Sequence, residues 1–237
     1  MSIKKVLISL YNRAKKIKGR FLENKTYELE LVPIKIEGTS IELWKVKRWK
    51  GAVETEYENE AEYISKFPLW IKIWEASIVL CEHLNQSVID TDAKILELGA
   101  GIGLTGMMLG AMEHQVTITD YNEDALALLK KNVEHNKLKN IQVKKLDWFQ
   151  PDIDETYDII FGSELIYKED KIDPLLDLFR KCLKPNGVVF IAHDMKRQSM
   201  AKFLNKAEKI FQIQSRAKTL KSDSDICRIA IHTIRSK

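Results

Sequence analysis

Cysteine is scarce in this chain of 237 residues, and its three cysteines are far apart in the sequence. Cys81, Cys182 and Cys227 form neither a C-x-x-C pair nor a cluster with the spacing of a zinc site. Scattered thiols of this kind are typical of proteins from a reducing compartment. We therefore expect buried structural thiols, no metal site and a cytoplasmic location.

Long apolar runs are also absent. No run approaches the roughly 20 residues that a membrane-spanning helix needs. Lysines interrupt the apolar residues that follow Met1, so this stretch lacks the apolar core of a secretory signal. These two absences predict a protein that does not insert into a membrane.

Beyond its first 25 residues the chain has no excess of basic residues. Its formal net charge is +4, and residues 1–25 contain eight basic residues and one acidic residue. These 25 residues therefore carry +7, and the other 212 carry −3. Such a main body lacks the basic surface that is typical of nucleic-acid-binding proteins, so a nucleic acid partner is not favoured.

The first 66 residues are predicted to form an extension that precedes a separate domain. Residues 2–22 carry apolar side chains at helical spacing with lysines opposite, which predicts a helix. That helix could pack on the domain or dock on an acidic partner or membrane surface. Alternating residues over 27–36 and 40–47 predict a β-hairpin. Five glutamates at every second position over 54–62 predict a solvated linker, or an acidic rim that attracts a basic substrate.

From residue 94 onward, short apolar strands alternate with amphipathic helices. Strands are predicted at 95–98, 116–120, 141–145, 157–162, 188–192 and 226–234, and helices at 70–85, 104–113, 124–136, 173–183 and 199–210, the last capped by Ser199. This alternation predicts an α/β domain over residues 67–237, with a doubly wound, mostly parallel seven-stranded sheet of the Rossmann-like kind. The last two strands have no helix between them and are expected to close the sheet as an antiparallel hairpin.

The segment from Glu97 to Gly106 combines the end of a strand, a glycine-rich turn and the start of a helix. Gly99, Gly101 and Gly103 allow the backbone to turn tightly and to approach a ligand closely. A tight turn needs glycine even without a ligand, so the loop alone is a weak signal. It indicates a nucleotide-type ligand only together with other residues.

Acidic residues at the strand ends narrow the choice of ligand. Asp120 ends the second strand about 20 residues further on, where a carboxylate can accept both hydroxyls of a ribose. Glu97 precedes the first glycine by two residues, where it would repel a pyrophosphate and attract an ammonium group. Asp147-Trp148 follows the third strand and adds an acceptor and a flat ring for an adenine. Together they favour an amino acid joined to a nucleoside over NAD.

Over roughly residues 68–195, these motifs resemble those of the class I S-adenosylmethionine-dependent methyltransferases. Within that class the chain is most similar to the seven-β-strand protein-lysine methyltransferases, the group that includes the enzyme acting on the electron-transfer flavoprotein β-subunit. Residues 68–74, Pro-Leu-Trp-Ile-Lys-Ile-Trp, resemble the group's Pro-aromatic-Trp-x-x-x-Trp segment, whose second Trp lies by the cofactor. Residues 164–167, Glu-Leu-Ile-Tyr, resemble its D-x-x-Y motif.

The resemblance implies S-adenosylmethionine as the cofactor and a lysine of a protein substrate as the acceptor. The implied cofactor-binding residues are Trp74, Glu97, Gly99, Gly101, Gly103, Asp120, Asp147, Trp148 and Ser163. Glu164 and Tyr167 are implied to orient the acceptor amine. Two residues depart from the group's pattern, since Glu164 stands in place of Asp and Glu75 in place of the Pro that often follows the second Trp.

Other functions remain open from the sequence. The acceptor could be a small molecule or RNA, or the domain could bind the cofactor without catalysis. Methyltransferases that act on adenine or cytosine typically have an Asp/Asn-Pro-Pro-aromatic segment here, and residues 163–167 contain no proline, which disfavours base methylation. His193-Asp194 could also line the site, although a lone histidine is more often structural. The target protein, the number of methyl groups and the oligomeric state are not indicated.

Overall fold

The computed structural model describes residues 15–18, 27–49, 68–221 and 226–237. Within these ranges the chain forms ten strands, five α-helices and two short 3₁₀ helices. The strands make one seven-stranded and one three-stranded sheet. No helix in this part of the chain is long and apolar enough to cross a membrane. Nor does this part place three or more His, Cys, Asp or Glu side chains together as a metal site would require.

The seven-stranded sheet forms the centre of the molecule. Its strands are β4 (Ile95–Glu97), β5 (Val116–Asp120), β6 (Ile141–Lys145), β7 (Tyr157–Ser163), β8 (Leu183–Asp194), β9 (Phe211–Lys221) and β10 (Ile226–Ser236). They lie in the order β6-β5-β4-β7-β8-β10-β9, and β10 runs in the direction opposite to the other six strands. The predicted doubly wound, mostly parallel sheet with a closing antiparallel hairpin is therefore confirmed. Connections leave β4 and β7 in opposite directions, so a crevice forms at their carboxyl ends.

Five α-helices cover the two faces of this sheet. They are α1 (Glu75–Asn85), α2 (Leu104–Ala111), α3 (Glu123–His135), α4 (Ile172–Cys182) and α5 (Ser199–Ala207). Successive strand residues point to opposite faces. Ile95 therefore packs in the buried cluster that contains α1 and α2, whereas Leu96 packs in the cluster that contains α4 and α5. Burial on both faces explains why central strands such as β4 and β7 have consecutive apolar residues, at 95–96 and 159–161.

The smaller sheet packs on one side of this domain. It contains β1 (Lys15–Lys18), β2 (Tyr27–Ile36) and β3 (Thr39–Trp49), all antiparallel. The turn between β2 and β3 has positive φ at Glu37 (46°) and Gly38 (96°), as expected for the tight turn that suits two twisted strands. The hairpin predicted at this position is confirmed. Its apolar face belongs to the same buried cluster as α1 and α2.

Two asparagines bind the edge of β3 that faces away from β2. Asn132 lies within α3, and Asn136 is the residue that follows its last turn. Asn132 accepts from the backbone N–H of Trp44 at 2.7 Å and donates to the Trp44 carbonyl at 3.0 Å. One helical turn later, Asn136 makes the same pair of bonds to the backbone of Glu42, at 2.9 and 2.7 Å. Side-chain amides thus satisfy backbone groups that would otherwise form an open sheet edge.

Three local predictions from the sequence are wrong. The helix predicted over residues 2–22 does not extend through Lys15–Lys18, which is a strand that pairs with β2, and the rest of that prediction lies outside the described residues. The helix predicted from residue 70 begins only at Glu75, because residues up to Trp74 form a 3₁₀ turn and then an extended segment. Ser199 does not cap α5, since its hydroxyl donates to the Ile166 carbonyl instead.

Two other predictions fall on residues whose structure is not described. The acidic stretch over 54–62 lies within the gap between residues 49 and 68. The predicted boundary between the N-terminal extension and the α/β domain, at residues 66 and 67, lies in the same gap. Both therefore stay predictions.

The paired asparagines lead to a stability prediction. Asn132→Ala would leave the buried N–H and carbonyl of Trp44 without partners, and each such group costs about 1–3 kcal/mol. We expect the free energy of unfolding in urea to fall by about 2 kcal/mol or more. Asn136→Ala is the matched control, because its bonds to Glu42 are exposed and water can replace them. Equal losses in the two variants would contradict this account.

Two buried histidines join β8 to β10. His193 Nδ1 lies 2.8 Å from the Asp194 carbonyl, which can only accept, so this nitrogen carries a proton. Its Nε2 then accepts from His232 Nε2, 2.9 Å away, and His232 Nδ1 accepts from the Ser215 hydroxyl at 2.7 Å. Burial lowers the pKa of both histidines, and burial together with a smaller repulsion from His193 lowers that of His232 to about 4. Both rings are therefore neutral at pH 7.

These histidines predict a loss of stability in mild acid. The unfolded chain binds protons near the ordinary histidine pKa of about 6.5, whereas folded His232 resists protonation down to about pH 4. The free energy of unfolding should therefore fall as the pH falls from about 6.5 to 4. His232→Gln should flatten this slope in urea titrations, whereas His135→Gln, at an exposed histidine bonded to Glu42, should leave it unchanged. An identical slope in wild type and His232→Gln would refute the prediction.

Candidate functional site

A cavity of about 440 Å³ opens at the carboxyl ends of β4, β5 and β7. The β4–α2 loop forms its floor, and the residues after β5, β6 and β7 form its walls. The segment 68–74, before α1, completes the lining. The cavity therefore lies where the strand order reverses, which is the usual ligand position in open α/β sheets.

The glycine loop has a backbone that other residues adopt with difficulty. Gly99 and Gly101 have left-handed φ values of 55° and 58°. A Cβ on Gly101 would lie 3.0 Å from the Trp70 carbonyl, and a Cβ on Gly99 would lie 3.0 Å from Leu165 and 3.5 Å from Trp148. The loop thus needs glycine both for its conformation and for its close contact with the neighbouring segments.

The Asp120 carboxylate holds this loop from the end of β5. One oxygen accepts from the Gly101 N–H at 2.8 Å, and the other accepts from the Asn122 N–H at 2.9 Å. Burial raises the pKa of Asp120, and these backbone N–H groups oppose that rise. Each carboxylate oxygen keeps a further lone pair, so Asp120 can still accept hydrogen bonds from a ligand in the cavity.

The Glu97 carboxylate lies beneath the same loop. It accepts from the Gly106 N–H at 3.1 Å and is 5% exposed. Burial raises its pKa to about 8, the Gly106 N–H opposes the rise, and the nearby Asp120 adds to it. A Cβ on Gly106 would lie 2.3 Å from this carboxylate, so residue 106 must be glycine for the helix to start here. A buried acid of this kind would gain from a cationic ligand.

Trp74 forms the wall beside α1. Its indole N–H donates to the Leu69 carbonyl at 3.0 Å, which holds the ring in place. The Lys72 ammonium lies 4.3 Å from the centre of the Trp74 ring, and the Arg197 guanidinium lies 5.7 Å from the ring centre. Both distances allow attraction between a cation and the π-electrons of the indole.

The N-terminal hairpin supports this wall from behind. Trp70 packs edge-on against Tyr27 of β2, with ring centres 5.7 Å apart. The Tyr27 hydroxyl donates to the Asp124 carboxylate at 2.8 Å, in the first turn of α3. The hairpin, the 68–74 segment and the glycine loop therefore form one continuous set of contacts, through Trp70 and Gly101.

Glu164 follows β7 in a strained conformation, with a φ of 51° that is unusual for a residue other than glycine. Its carboxylate accepts from the Asp194 N–H at 2.7 Å and from the Arg197 guanidinium at 2.9 Å. The side chain is only 8% exposed. Bonds to a backbone N–H and a guanidinium hold the carboxylate in one orientation beside Trp74.

A smaller cavity of about 260 Å³ lies next to the main one. The two share Lys72, Trp74 and Glu164, so these three side chains stand at their junction. Asp194 and Arg197 line only the smaller cavity. Tyr167 lines the main cavity, and burial raises the pKa of its phenol, which stays protonated at neutral pH.

The structure brings nearly all residues predicted from the sequence to one cavity. The main cavity is lined by Trp74, Glu97, Gly99, Gly101, Asp120, Asp147, Trp148, Ser163, Glu164 and Tyr167. Gly103 lies behind the loop, before α2, where a Cβ would meet Leu129 at 2.3 Å. His193 bonds to His232 within the sheet, which agrees with the expectation that a lone histidine is more often structural. Sequence reasoning missed Arg197, which has no motif and is 33 residues from its partner.

The lining fits S-adenosylmethionine, a zwitterion that also carries a sulfonium and a ribose. Gly99 and Gly101 line the cavity with their backbone, and Asp120 keeps lone pairs for hydroxyl groups. The Trp148 ring packs beside Gly99, and Asp147 precedes it, with one oxygen bonded to the Phe149 N–H at 3.0 Å. Burial raises the pKa of Glu97 to about 8, and an ammonium group beside it would favour the ionised form, so Glu97 can become its anionic partner.

Comparisons with known proteins agree with this fit. A model of the lysine methyltransferase family matches residues 63–210. Protein N-lysine methyltransferase METTL21A of Mus musculus is 34% identical over 152 residues, which cover 60% of this chain and 68% of the relative. EEF1A lysine methyltransferase 3 of Xenopus tropicalis is 28% identical over 149 residues, which cover 61% of this chain and 66% of the relative.

Solved structures share the fold. The crystal structure of a TehB-like SAM-dependent methyltransferase from Corynebacterium glutamicum has a TM-score of 0.54, is 21% identical, and covers 76% of this chain and 97% of its own. The crystal structure of the ribosomal protein L11 methylase from Lactobacillus delbrueckii subsp. bulgaricus has a TM-score of 0.51 and is 19% identical. The match covers 68% of this chain and 77% of the methylase. The match to the lysine methyltransferase family confirms the expected cofactor, S-adenosylmethionine.

The position of Asp120 leads to a binding prediction. Asp120→Ala removes the acceptor of the Gly101 N–H and a charge from the cavity wall. We expect the affinity for S-adenosylhomocysteine to fall by about 100-fold or more in calorimetry, since hydrogen bonds to a charged group contribute about 1.5–3 kcal/mol each. Glu123→Ala is the control, because this nearby exposed carboxylate pairs with Lys145. Unchanged affinity in Asp120→Ala would show that the ligand binds elsewhere.

Proposed function

The chain belongs to the lysine methyltransferase family and uses S-adenosylmethionine, and on this premise we propose that it methylates the ε-amino group of a lysine in a protein substrate. The observation that best supports a lysine acceptor is the arrangement of side chains at the junction of the two cavities. There an oriented carboxylate, Glu164, and an aromatic face, Trp74, lie next to the cofactor cavity. A lysine ammonium is attracted by both kinds of group.

We assign the cofactor contacts as follows. Asp120 accepts the ribose hydroxyls, and Glu97 faces the ammonium of the amino acid part. Asp147 and Trp148 hold the adenine, with the ring of Trp148 against one face. The remaining cofactor contacts are assigned to Trp74, Gly99, Gly101 and Ser163, whereas Gly103, which faces Leu129 behind the loop, would act through the shape of the loop. The cofactor, when bound, supplies an electrophilic methyl group.

Acceptor binding falls to Glu164 and Tyr167 in this proposal. Methyl transfer from a sulfonium is an in-line displacement, so the main requirement is to hold the amine at the right distance and angle. The Glu164 carboxylate is already oriented by Asp194 and Arg197, and its remaining lone pairs can accept N–H groups of the amine. The protonated Tyr167 phenol offers a second oxygen to the same amine.

The acceptor must also lose a proton before it reacts. Free lysine has a pKa of about 10.4, so on the order of one molecule in two thousand is neutral at pH 7. The site therefore has to bind the ammonium form and let its proton leave to water. When the lysine side chain leaves water and lies near Trp74, its charged ammonium form is disfavoured. Glu164 keeps the amine in place while the proton leaves.

Two observations support a protein as the substrate: the names of the relatives and the sequence on the acceptor side of the cavity. METTL21A is named a protein N-lysine methyltransferase, and the other relative is named for a lysine of EEF1A. Residues 163–167 lack the prolines of base methyltransferases. We assign no particular protein target.

Labelling of a proteome tests this function. A cell lysate is incubated with the enzyme and tritiated S-adenosylmethionine, and then with protease or ribonuclease. We expect label in protein, at lysine after hydrolysis, that protease releases and ribonuclease does not. Label that survives protease and disappears with ribonuclease would overturn the protein-lysine assignment.

The same assay examines the role of Glu164. Glu164→Gln keeps the shape of the side chain and removes its charge, so we expect a loss of about 100-fold in labelling with unchanged affinity for S-adenosylhomocysteine. Glu75→Gln is the matched control, because this glutamate also lines the smaller cavity but is more exposed and pairs only loosely with Lys72, at 3.7 Å. If Glu164→Gln labels proteins as well as wild type, the assignment of the acceptor site is wrong.

A further inference from the structure

Two lysines of the described residues line the main cavity, Lys72 and Lys171. Each has its ammonium over an aromatic ring, Lys72 over Trp74 at 4.3 Å and Lys171 over Phe149 at 4.2 Å. They differ in position. Phe149 follows the residues assigned to the adenine, whereas Trp74 stands at the junction with the smaller cavity. Lys72 is therefore the cavity lysine on the acceptor side.

We propose that Lys72 is a methyl acceptor of this enzyme, modified within its own chain. The proposal rests on the proposed function, because it requires the site to act on lysine ε-amines. The chain places an ε-amino group over the Trp74 ring, and Lys72 lines both cavities together with Trp74 and Glu164, where a substrate lysine would have to arrive. No other protein is needed to bring that group there.

The contacts of Lys72 leave its amine able to move. Its Nζ lies 3.7 Å from the Glu75 carboxylate, longer than a hydrogen bond, and the side chain is 44% exposed. Lys72 itself has extended backbone and lies between a 3₁₀ turn and α1, outside both helices. Rotation about the four-carbon side chain can therefore shift the amine along the Trp74 wall without breaking backbone hydrogen bonds.

The reaction is balanced without a further reagent. The neutral Nζ of Lys72 attacks the methyl carbon, an N–C bond forms, and the S–C bond of the sulfonium breaks to leave the thioether S-adenosylhomocysteine. The proton that Nζ carried is released to water. The methylated amine keeps its ability to bind a proton, so its cation still fits the Trp74 face, and the added methyl group makes apolar contact with the ring.

The amine of Lys72 would compete with a substrate lysine for the same place. A protein substrate must displace this side chain from the Trp74 wall before its own lysine can bind. Self-methylation is therefore expected to be clearest in the absence of a substrate and to decline when a substrate is added.

Peptide mapping by mass spectrometry tests the proposal. Purified full-length enzyme is incubated with S-adenosylmethionine alone, and methyl groups are located on peptides. We expect methylation at Lys72, complete loss of it in Lys72→Arg, and retention in Lys171→Arg and Lys196→Arg. Lys171 lines the main cavity and Lys196 lines only the smaller one, so these are matched controls. Methylation at other lysines and not at Lys72 would overturn the proposal.

Two further measurements distinguish methylation within one chain from methylation by a second copy and from a chemical reaction outside the site. The methylated fraction at a fixed time should not change when the enzyme is diluted, and a fraction that falls on dilution would show that a second copy is the substrate. Asp120→Ala should show no methylation, and equal methylation there would indicate a chemical reaction outside the site. If lysate proteins are labelled at lysine but Lys72 is not, the Lys72 proposal fails and the proposed function stands. If no lysine is labelled anywhere, both fail.

Discussion

The site depends on two buried carboxylates that hold a glycine loop by its backbone N–H groups. Asp120 binds the N–H of Gly101, and Glu97 binds the N–H of Gly106. Buried acids are costly unless they are hydrogen-bonded, and these backbone groups supply the bonds. Because the acids come from adjacent parallel strands, the sheet itself sets the distance between them. The loop and the cavity above it follow from that arrangement.

The N-terminal hairpin supports this site although none of its described residues lines either cavity. Tyr27 contacts Trp70, and the Trp70 carbonyl lies against Gly101. Asn132 fixes the hairpin to α3 through the backbone of Trp44. The wall that contains the 68–74 segment is thus held between two rigid elements. Such support keeps a binding wall in place when its own backbone is irregular, as it is here between the 3₁₀ turn and α1.

The acceptor side is built on a different principle. Glu164 has a positive φ and is held by Arg197 and by the Asp194 N–H, so strain in one residue is maintained by the surrounding bonds. Strained residues often occur where a side chain must point in a direction that a relaxed strand end would not allow. The glutamate in place of the family's aspartate has a longer reach, and Arg197 is the group that limits its freedom.

Local patterns in the sequence were sufficient for the sheet, the hairpin and ten of the residues that line the main cavity. Apolar strands alternating with helices imply a parallel sheet, and acids at strand ends meet because parallel strands end at one edge. The sequence was not sufficient where a distant partner decided the outcome. Ser199 binds the carbonyl of Ile166, 33 residues away in the sequence, instead of capping its helix.

What the sequence alone determined is the set of residues whose role depends on their own strand or turn, such as Gly101 and Asp120. What only the tertiary structure decided is the pairing between segments with no fixed spacing. The bond of Arg197 to Glu164 and the contact of Lys72 with the junction of the two cavities are of this kind. Long, flexible cationic side chains can reach many partners, so their contacts are set by the packing of the whole domain.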